Sequence, residues 1–594
     1  MSELALNTGR RPLTLQDCCD GLAAPPAGDD GASLLNLLLR DQQQLTAVEE
    51  FSRAHDQADV PRSGAPVQAR YYEKLLPASP PGPGQQYGFE VDLDRCSGCK
   101  ACVTACHSLN GLDDKETWRD VGLLIGGTES LPVMQHVTAA CHHCVEPGCM
   151  SACPVDAYEK DPVTGIVRHL DDQCFGCQYC TVACPYDVPK YHAGKGIVRK
   201  CDMCSSRLSA GEAPACVQAC PHEAIAIRVV DVARVLENAE ADHFLPAAPE
   251  PHLTLPTTTY KSRRVFPRNM LPADYYSISP QHPHMPLVIM LVMTQLSVGA
   301  FATGCFLERN VAPHLLPLFR PLHASIALMM GLLALGASTL HLGRPQFAFR
   351  GIIGLRHSWL SREILAFGLF AGLAVPYAAL CWMVSVPRLA GLPWAAPLIF
   401  RLPELGVSVA VVGAICVFCS AMIYVFTKRE FWNLERTFTR FVLTSAVLGI
   451  STVWVSVSLL DAFSNHPVGL SLSDVLTVPL AKALMAASAL KIGFDLLLLR
   501  HRMSFRNSPM KRSALLVLGP LAGTSFVRLV AGLLGGIAIP FWILTTHPAA
   551  GSPQPAGVWP VLLAWIGCFT AELAERYLFF AAVSAPRMPG GVRS

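Results

Sequence analysis

Sixteen cysteines between residues 96 and 220 constrain this chain more than any other feature, because they fall into four groups of four. The first and third groups have the spacing Cys-x2-Cys-x2-Cys-x3-Cys, the second has gaps of two, four and three residues, and the fourth contains one gap of eleven. Proline follows the last cysteine of the second, third and fourth groups. The groups are Cys96, Cys99, Cys102 and Cys106; Cys141, Cys144, Cys149 and Cys153; Cys174, Cys177, Cys180 and Cys184; and Cys201, Cys204, Cys216 and Cys220.

This spacing is typical of bacterial iron–sulfur proteins, in which three close thiolates hold one cluster and the fourth ligates the other cluster of a pair. A zinc site needs four ligands in two pairs and has no use for a third close cysteine. A disulfide framework is expected in a small secreted chain in an oxidising compartment. Because each group keeps four cysteines, we predict four 4Fe–4S clusters that use all sixteen thiolates.

The second half of the chain has the composition of a membrane protein. Over the 594 residues, 51% are hydrophobic and only 15% are charged, and the apolar excess lies after residue 285. Eight segments there approach the roughly 20 apolar residues that a membrane-spanning helix needs. They are predicted near 285–307, 321–342, 363–386, 405–427, 440–460, 475–499, 514–540 and 558–583.

Basic residues are distributed unevenly between the two ends of these segments. With both termini on one side, the segments that flank the membrane helices on that side carry 19 Lys and Arg, whereas the opposite loops carry only Arg309, Arg320, Arg388 and Arg401. Positively charged loops face the cytoplasm. The asymmetry therefore predicts a multi-pass protein of the inner (cytoplasmic) membrane with the cysteine-rich region and both termini in the cytoplasm.

The composition divides the chain into four regions. Residues 1–85 form an extension with one amphipathic helix over Ser33–Gln57 and a Pro/Gly linker, 86–232 form the cluster domain, 233–284 a connector and 285–594 the membrane anchor. Strand-like runs flank each cysteine group, as in a ferredoxin module that has been doubled. The predicted fold class is an α+β double ferredoxin-like iron–sulfur domain followed by an all-α eight-helix transmembrane bundle.

Clusters joined to a membrane domain indicate a lipid-soluble redox partner, and quinone is the ordinary one. His341, Arg344 and Glu363 stand at the predicted cytoplasmic ends of the second and third membrane segments, where proton-transferring groups are usually functional. The alternative is that His341 and Glu363 only cap helix ends. Deeper in the membrane, Glu572 and Arg576 are one helical turn apart and could form an ion pair.

These motifs resemble a known family. The segments DQCFGCQYCTVACPY and CDMCSSRLSAGEAPACVQACP resemble the iron–sulfur subunit of dimethyl sulfoxide reductase and its relatives, and HLGRPQFAFR, SWLSREIL and ELAERYLFF are similar to the membrane anchor of the same enzymes. The resemblance covers residues 87–594, so two subunits that are normally separate stand here in one chain. It implies a partner subunit with a molybdopterin catalytic centre, and quinone chemistry at His341 and Glu363.

The resemblance also implies how the cysteines pair. The implied ligand sets are Cys96, Cys99, Cys102 with Cys220; Cys201, Cys204, Cys216 with Cys106; Cys141, Cys144, Cys149 with Cys184; and Cys174, Cys177, Cys180 with Cys153. The sequence departs from the family in its N-terminal extension and in the charges that place the clusters inside. Those charges favour cytoplasmic relatives, such as sulfite-oxidising or nitrate-reducing complexes, over the sulfoxide enzyme itself.

The leading hypothesis is an electron-transfer and anchor subunit of an oxidoreductase complex, which links a quinone pool to a molybdopterin subunit where substrate catalysis takes place. A redox-driven ion-translocating membrane protein is the alternative, and a redox sensor without turnover is a third. A net charge of +2 argues neither for nor against a nucleic-acid partner, and because no basic-aromatic patch suggests one, none is predicted. The terminal substrate and the direction of electron flow do not follow from the sequence.

Overall fold

The computed structural model describes residues 69–114, 116–309, 311, 316–386, 388, 395–463, 472–504, 508–546 and 557–590. The predicted amphipathic helix Ser33–Gln57 lies outside these residues. Contact clustering separates Met1–Arg70 from Tyr71–Ser594. From Tyr71 onward, the helices and strands belong to the second unit.

The cysteine-rich part is built from short strands and short helices that alternate along the chain. The strands are β1 (Gln85–Asp92), β2 (Asp120–Gly127), β3 (Pro132–Ala139), β4 (Tyr158–Lys160), β5 (Val167–His169), β6 (Lys190–His192), β7 (Ile197–Arg199), β8 (Ile225–Asp231), β9 (Thr259–Lys261) and β10 (Leu271–Pro272). The helices are α1 (Ala69–Tyr72), α2 (Ala101–Leu109), α3 (Gly148–Ala152), α4 (Tyr179–Ala183), α5 (Ser205–Ser209), α6 (Ala215–Gln218) and α7 (Val232–Glu240), with 3-10 turns at Glu73–Leu75 and Pro251–Leu253.

Strand pairing brings the first and last cysteine groups together. β1 pairs antiparallel with β8, in a register that sets Phe89 opposite Ile227, and parallel with β9. Hairpins β4–β5 and β6–β7 and the sheet β10-β2-β3 complete the strands. Because β1 precedes the first cysteine group and β8 follows the fourth, their pairing makes the whole cysteine region one closed unit.

The membrane part consists of long apolar helices. They are α8 (Met285–Glu308), α9 (Leu316–Thr339), α10 (Trp359–Ser385), α11 (Ala395–Phe400), α12 (Leu402–Val425), α13 (Leu434–Phe463), α14 (Leu472–Leu496), α15 (Pro509–Leu518), α16 (Ala522–Leu533), α17 (Ile539–Thr546) and α18 (Val558–Ala581). Further turns occupy Pro345–Ile352, Glu430–Trp432 and Leu497–Met503, and a π-helical turn, Leu534–Ala538, joins α16 to α17. Within the described residues, eight helical segments have the length and hydropathy to cross a membrane. The predicted fold class is confirmed.

The seventh span differs from its predicted limits. The sequence predicts one segment near 514–540, but helix α15 ends at Leu518 and the span itself runs over Ala522–Thr546. Gly519 and Pro520 separate the two helices. A proline disfavours helical backbone at the residue before it and removes a hydrogen-bond donor, which explains the break.

Helices α8 and α13 form the centre of the bundle, since 67% and 72% of the residues in their most apolar stretches are buried inside the protein. They cross at Gly299 and Gly449. A Cβ atom added to Gly299 would lie 1.9 Å from the Ser445 carbonyl oxygen, and one added to Gly449 would lie 2.3 Å from the carbonyl carbon of Gly299. Small residues at helix crossings let backbones approach in this way.

Loops at one end of the bundle hold the cysteine-rich part. The amides of Gly343 and Arg344 donate to the carbonyls of Gly176 and Phe175, at 3.3 and 3.0 Å. Other contacts join Ser358 Oγ to Ala152 O at 2.7 Å, Tyr179 Oη to Ile423 O at 2.8 Å and Arg429 Nη2 to Val182 O at 2.9 Å. These loops are the ones rich in Lys and Arg. The cysteine-rich part therefore lies on the positively charged side of the bundle.

Candidate electron-transfer site

Cysteines that are distant in sequence meet as four sets of four thiols. Three sets each line a small cavity, and in the fourth, burial and also the neighbouring thiols of the set raise the pKa of Cys106, Cys201 and Cys216. Each set combines three cysteines of one group with the last cysteine of another. The sets are site A (Cys96, Cys99, Cys102, Cys220), site B (Cys106, Cys201, Cys204, Cys216), site C (Cys141, Cys144, Cys149, Cys184) and site D (Cys153, Cys174, Cys177, Cys180).

Short helices connect neighbouring sites. Helix α2 carries Cys102 of site A and Cys106 of site B one turn apart. Cys149 of site C lies on α3, and Cys153 of site D directly follows that helix. Sites B and C meet at Lys200, whose ammonium lies 3.7 Å from Cys141 Sγ and 2.9 Å from the Cys201 carbonyl oxygen. The connections give the linear order A, B, C, D.

Two buried cations lie among these thiols. The side chains of Arg119 and Lys200 are 2% and 3% exposed. Burial alone would lower the pKa of each, but the surrounding thiolates hold the pKa of both above the usual value, so both stay charged. A buried cation is costly unless an anion compensates it. Ionised cysteines around the two cations would supply that compensation.

The neighbouring residues His142 and His143 have different roles: His142 packs against an aromatic ring, and His143 accepts a hydrogen bond. His143 Nδ1 accepts from the Val167 amide at 3.0 Å, and the ring of His142 packs edge-on against Tyr186 at 4.4 Å. Burial, together with the charge of Arg119, lowers the pKa of His142 to about 3. Both rings are thus neutral parts of the wall of site C.

Site D faces the membrane part. His357 Nε2 lies 2.9 Å from the carbonyl oxygen of Cys153, and the amide of Gly354 donates to Pro154 O at 2.9 Å. Tyr179, between Cys177 and Cys180, contributes to the hydrophobic core of the bundle. Site D therefore lies against the membrane part.

Glu363 lies directly beneath this junction. It is the fifth residue of α10, its side chain is buried, and it accepts a hydrogen bond from Ser420 Oγ. Its carboxylate is near enough to act electrostatically on Tyr179, Cys416 and Tyr424. The junction between site D and the membrane part thus contains a buried carboxylate.

His341 and Arg344 occupy other positions. Arg344 donates from Nε to Lys195 O at 3.2 Å and from Nη1 to Asp171 O at 3.0 Å, so its guanidinium holds the loops around site D. His341 lies two residues beyond the end of α9, its Nδ1 has no partner among the described residues, and burial together with the nearby His284 lowers its pKa to about 4. Glu363 thus accepts a hydrogen bond from a neighbouring helix, whereas His341 Nδ1 has no hydrogen-bond partner among the described residues.

A second set of ionisable residues lies inside helices α13, α14, α16 and α18. Lys491 Nζ contacts Glu572 Oε2 at 2.8 Å, and Arg528 Nη2 contacts Asp495 Oδ2 at 2.9 Å. Ion pairs with longer N–O distances of 3.5–3.8 Å connect these four residues to Arg440, Glu575 and Arg576. We call this the ion network, and its members are Arg440, Lys491, Asp495, Arg528, Glu572, Glu575 and Arg576.

The ion network corrects one expectation from sequence. The spacing of Glu572 and Arg576 indicated an ion pair along α18, but the nearest cation to Glu572 is Lys491 of α14. Arg576 instead donates to Gln295 Oε1 at 2.8 Å and lies 4.0 Å from the centre of the Phe441 ring. Interhelical partners were closer than the neighbour one turn away.

Several residues of the site were not singled out from the sequence. Arg119, Lys200, Tyr179 and Ser420 carry no motif of their own, although Lys200 directly precedes Cys201 and Tyr179 lies inside the third cysteine group. A position beside a ligand was the only available signal. It could have identified Lys200 and Tyr179, but not Arg119 or Ser420.

Comparison with known proteins gives matches to both halves. Residues 132–230 match the family model of a 4Fe-4S dicluster domain, and residues 280–581 match that of the DMSO reductase anchor subunit, DmsC. The B subunit of the anaerobic dimethyl sulfoxide reductase of Haemophilus influenzae is 34% identical over 189 residues, which cover 30% of the present protein and 91% of that relative.

Two further relatives match the same half. YnfG of Escherichia coli K12, a probable anaerobic dimethyl sulfoxide reductase subunit, is 35% identical over 184 residues, 30% of the present protein and 88% of the relative. The hydrogenase-2 operon protein HybA of Escherichia coli O157:H7 is 36% identical over 209 residues, 31% of the present protein and 62% of the relative.

Proposed function

The chain belongs to the dimethyl sulfoxide reductase family, with the iron–sulfur subunit and the membrane anchor subunit fused in one polypeptide, and from this premise we propose that it carries electrons between membrane quinone and a molybdopterin catalytic subunit. Electron transfer by an iron–sulfur region and multi-pass anchoring follow from the family itself. The number of clusters, the quinone site and the partner are the proposal. The observation that carries it is the linear order of sites A to D, which ends at Glu363.

We assign one 4Fe–4S cluster to each of the four sites, which would supply one-electron transfer when bound. The three cysteines of one group and the last of another are the ligands of each site, in the sets given above. Arg119 and Lys200 offset the negative charge of the thiolates. Hydrogen bonds to ligand sulfur, such as that from Thr254 Oγ1 to Cys144 Sγ at 3.3 Å, tune the potential of such sites.

Anaerobically purified protein is expected to contain about sixteen iron atoms per chain, four for each set of thiols. Substituting Cys184 by serine should remove about four of these and leave sites A and B intact, because only site C contains Cys184. Iron analysis combined with electron paramagnetic resonance measures both. Cys419→Ser is the matched control, since Cys419 lies on α12 and outside all four sets. Zinc in place of iron, or about eight irons in the unchanged chain, would contradict the assignment.

The quinone site is proposed at Glu363, with His341 as a second proton-transferring group and Arg344 as a positioning residue. A hydroquinone loses two protons with its two electrons, so a proton acceptor close to site D is required. Glu363 is buried against Ser420 and lies near Tyr179. His341 accepts the second proton of the hydroquinone when the quinone ring extends to the end of α9.

The catalytic subunit is proposed to dock beside site A. Cys99 of that site is exposed, whereas site D is covered by the membrane part. An electron partner that approaches from solution would therefore reach site A. The substrate of that partner is a separate question from the path that this chain provides.

The cysteine-rich region and the C-terminus are proposed to face the cytoplasm. The 19 Lys and Arg at the helix ends on the side that contacts this region, against four on the other, support this orientation. An alkaline phosphatase fused to the C-terminus is expected to be inactive, and a green fluorescent protein fused there to fluoresce. Fusion after Arg388, in an opposite loop, is the matched control and should give the reverse pattern. An active phosphatase at the C-terminus would show that the orientation is wrong.

A further inference from the structure

A cavity of about 290 Å³ lies between helices α14, α15, α16 and α18, away from Glu363. Its walls are mostly apolar and include Leu496, Leu518, Phe526, Leu529 and Phe579. A cavity of about 150 Å³ is enough to hold a benzene ring. The space therefore accommodates a six-membered ring and the first part of an attached chain.

The cavity opens sideways toward the lipid. Phe526, Leu496 and Leu518 on its rim are 67%, 47% and 41% exposed. Phe526 and Leu496 belong to membrane-spanning segments, so these two exposed side chains would face acyl chains in a bilayer. A ligand thus enters from the membrane and can leave a long apolar tail in the lipid.

The inner end of the cavity is polar and incompletely paired. Arg440, Asp495, Arg528 and Glu575 of the ion network line it. Arg440 Nε lies 3.6 Å from Asp495 Oδ1 and 3.7 Å from Glu575 Oε1, which is too far for a hydrogen bond. Within the described residues, Nε of both arginines, Asp495 Oδ1 and Glu575 Oε2 have no hydrogen-bond partner. The side chains of Arg440, Arg528 and Glu575 are all less than 10% exposed.

Buried polar atoms without partners are rare in proteins and need an explanation. A ligand that fits this end must accept hydrogen bonds from the arginines and donate them to the carboxylates. A neutral ligand fits best, because the two arginines and two carboxylates that line this end carry equal numbers of opposite charges, while the other members of the ion network lie outside the cavity wall. A lipid phosphate would meet the two carboxylates and is disfavoured, whereas a ring with carbonyl or hydroxyl oxygens satisfies both kinds of group.

We propose that this cavity is a second site for an isoprenoid quinone or quinol, whose ring oxygens bind at the Arg440–Asp495–Arg528–Glu575 end while the tail passes Phe526 into the bilayer. The site lies in the second half of the bundle and is separate from Glu363. It does not rest on the quinone site proposed there. The loop that carries Phe431, another wall residue, also carries Arg429, which contacts the cysteine-rich part at Val182.

The test uses the full chain in lipid nanodiscs, with an azido-substituted short-tail quinone as a photolabel and mass-spectrometric mapping of the labelled peptides. Labelling is expected within residues 492–529 or 575–579. Ala522→Trp, which places a large apolar side chain in the cavity and leaves every charged residue unsubstituted, should reduce this labelling at least about tenfold. Leu529→Phe fills the cavity from another position and should act in the same direction.

Gly523→Trp is the matched control. A Cβ atom at Gly523 has no neighbour within 4 Å, and Gly523 does not line the cavity, so its labelling should equal that of the unchanged chain. Glu363→Gln should also leave this labelling intact, even if it abolishes electron exchange. Iron content verifies that each variant has folded.

Three results would overturn the proposal. The first is equal labelling of the unchanged chain and Ala522→Trp in these peptides. The second is labelling confined to peptides from Trp359–Ser385, which would leave only the site at Glu363. The third is a co-purified phospholipid that excess quinone does not displace and that Ala522→Trp alone loses, because the occupant would then be a lipid.

Discussion

Glu363→Gln is expected to slow electron exchange with quinone by about 100- to 10,000-fold, the usual effect of losing a positioned proton acceptor. Glutamine keeps the volume of glutamate and can still accept the hydrogen bond from Ser420 Oγ. It cannot take up the proton that a hydroquinone releases. The expected loss therefore concerns proton transfer at the quinone and leaves the packing of α10 against α12 unchanged.

Two assays distinguish these effects. Quinol-dependent reduction of the clusters in membranes should fall by the factor given, whereas their reduction by a small water-soluble dye should remain unchanged. Glu404→Gln is the matched control, since Glu404 is an exposed residue near the start of α12 that forms an ion pair with Arg401, one turn away on the same side of the helix. An effect of less than about threefold at Glu363 would mean that the carboxylate has a structural role in the helix.

In the proposed path this one carboxylate matters because of the order of sites. The carboxylate of Glu363 is near enough to act electrostatically on Tyr179, which begins the short helix α4 that carries Cys180 of site D. A quinone ring beside Glu363 would therefore lie beside the site nearest the membrane. His341 is two residues beyond α9 and interacts with His284, so its substitution tests whether the ring extends in that direction.

Much of the fold could be predicted from the sequence, because its strongest signals are local. Apolar segments predicted the first and last spans, 285–307 and 558–583, to within two residues of helices Met285–Glu308 and Val558–Ala581. A bilayer requires long uninterrupted apolar helices, so composition alone carries that information. The seventh span deviates because Gly519 and Pro520 end α15 within an apolar run.

The sites could be predicted less completely, because they depend on contacts between distant segments. Cysteine spacing identified which thiols could bind metal, but the sets came from a family resemblance and remain a proposal for the ligands. Arg119 contacts Thr138, which is 19 residues away in the sequence, and Ser420 contacts Glu363, which is 57 residues away. Both contacts form only when the chain folds. No local pattern marks such positions.

The ion network shows the same limit and leads to a second large effect. Sequence spacing favoured a pair between Glu572 and Arg576, yet Lys491 lies 2.8 Å from Glu572 with both side chains at most 2% exposed. In the network four cations face three carboxylates. Removing one carboxylate leaves an excess of two positive charges in a region without bulk water.

Glu572→Gln is therefore expected to lower the free energy of unfolding by about 3–5 kcal/mol, the usual cost of leaving a buried charge without its partner. Thr444 Oγ1 donates a hydrogen bond to the Glu572 carboxylate at 2.7 Å, and glutamine retains a side-chain oxygen that can accept it. The loss of stability would therefore reflect the missing negative charge. Unfolding of the purified chain by SDS in mixed micelles, followed by circular dichroism, measures the change.

A double variant shows whether charge is the cause. Lys491→Met combined with Glu572→Gln restores the original excess of one positive charge and should recover more than half of the lost stability, because a well-packed apolar replacement of a buried ion pair is often neutral or stabilising. Glu404→Gln, at an ion pair whose side chains are 71% and 64% exposed, should cost at most about 1 kcal/mol. If the double variant is less stable than Glu572→Gln alone, Lys491 stabilises the bundle through its hydrogen bonds to Arg440 O and Thr444, and not through its pairing with Glu572.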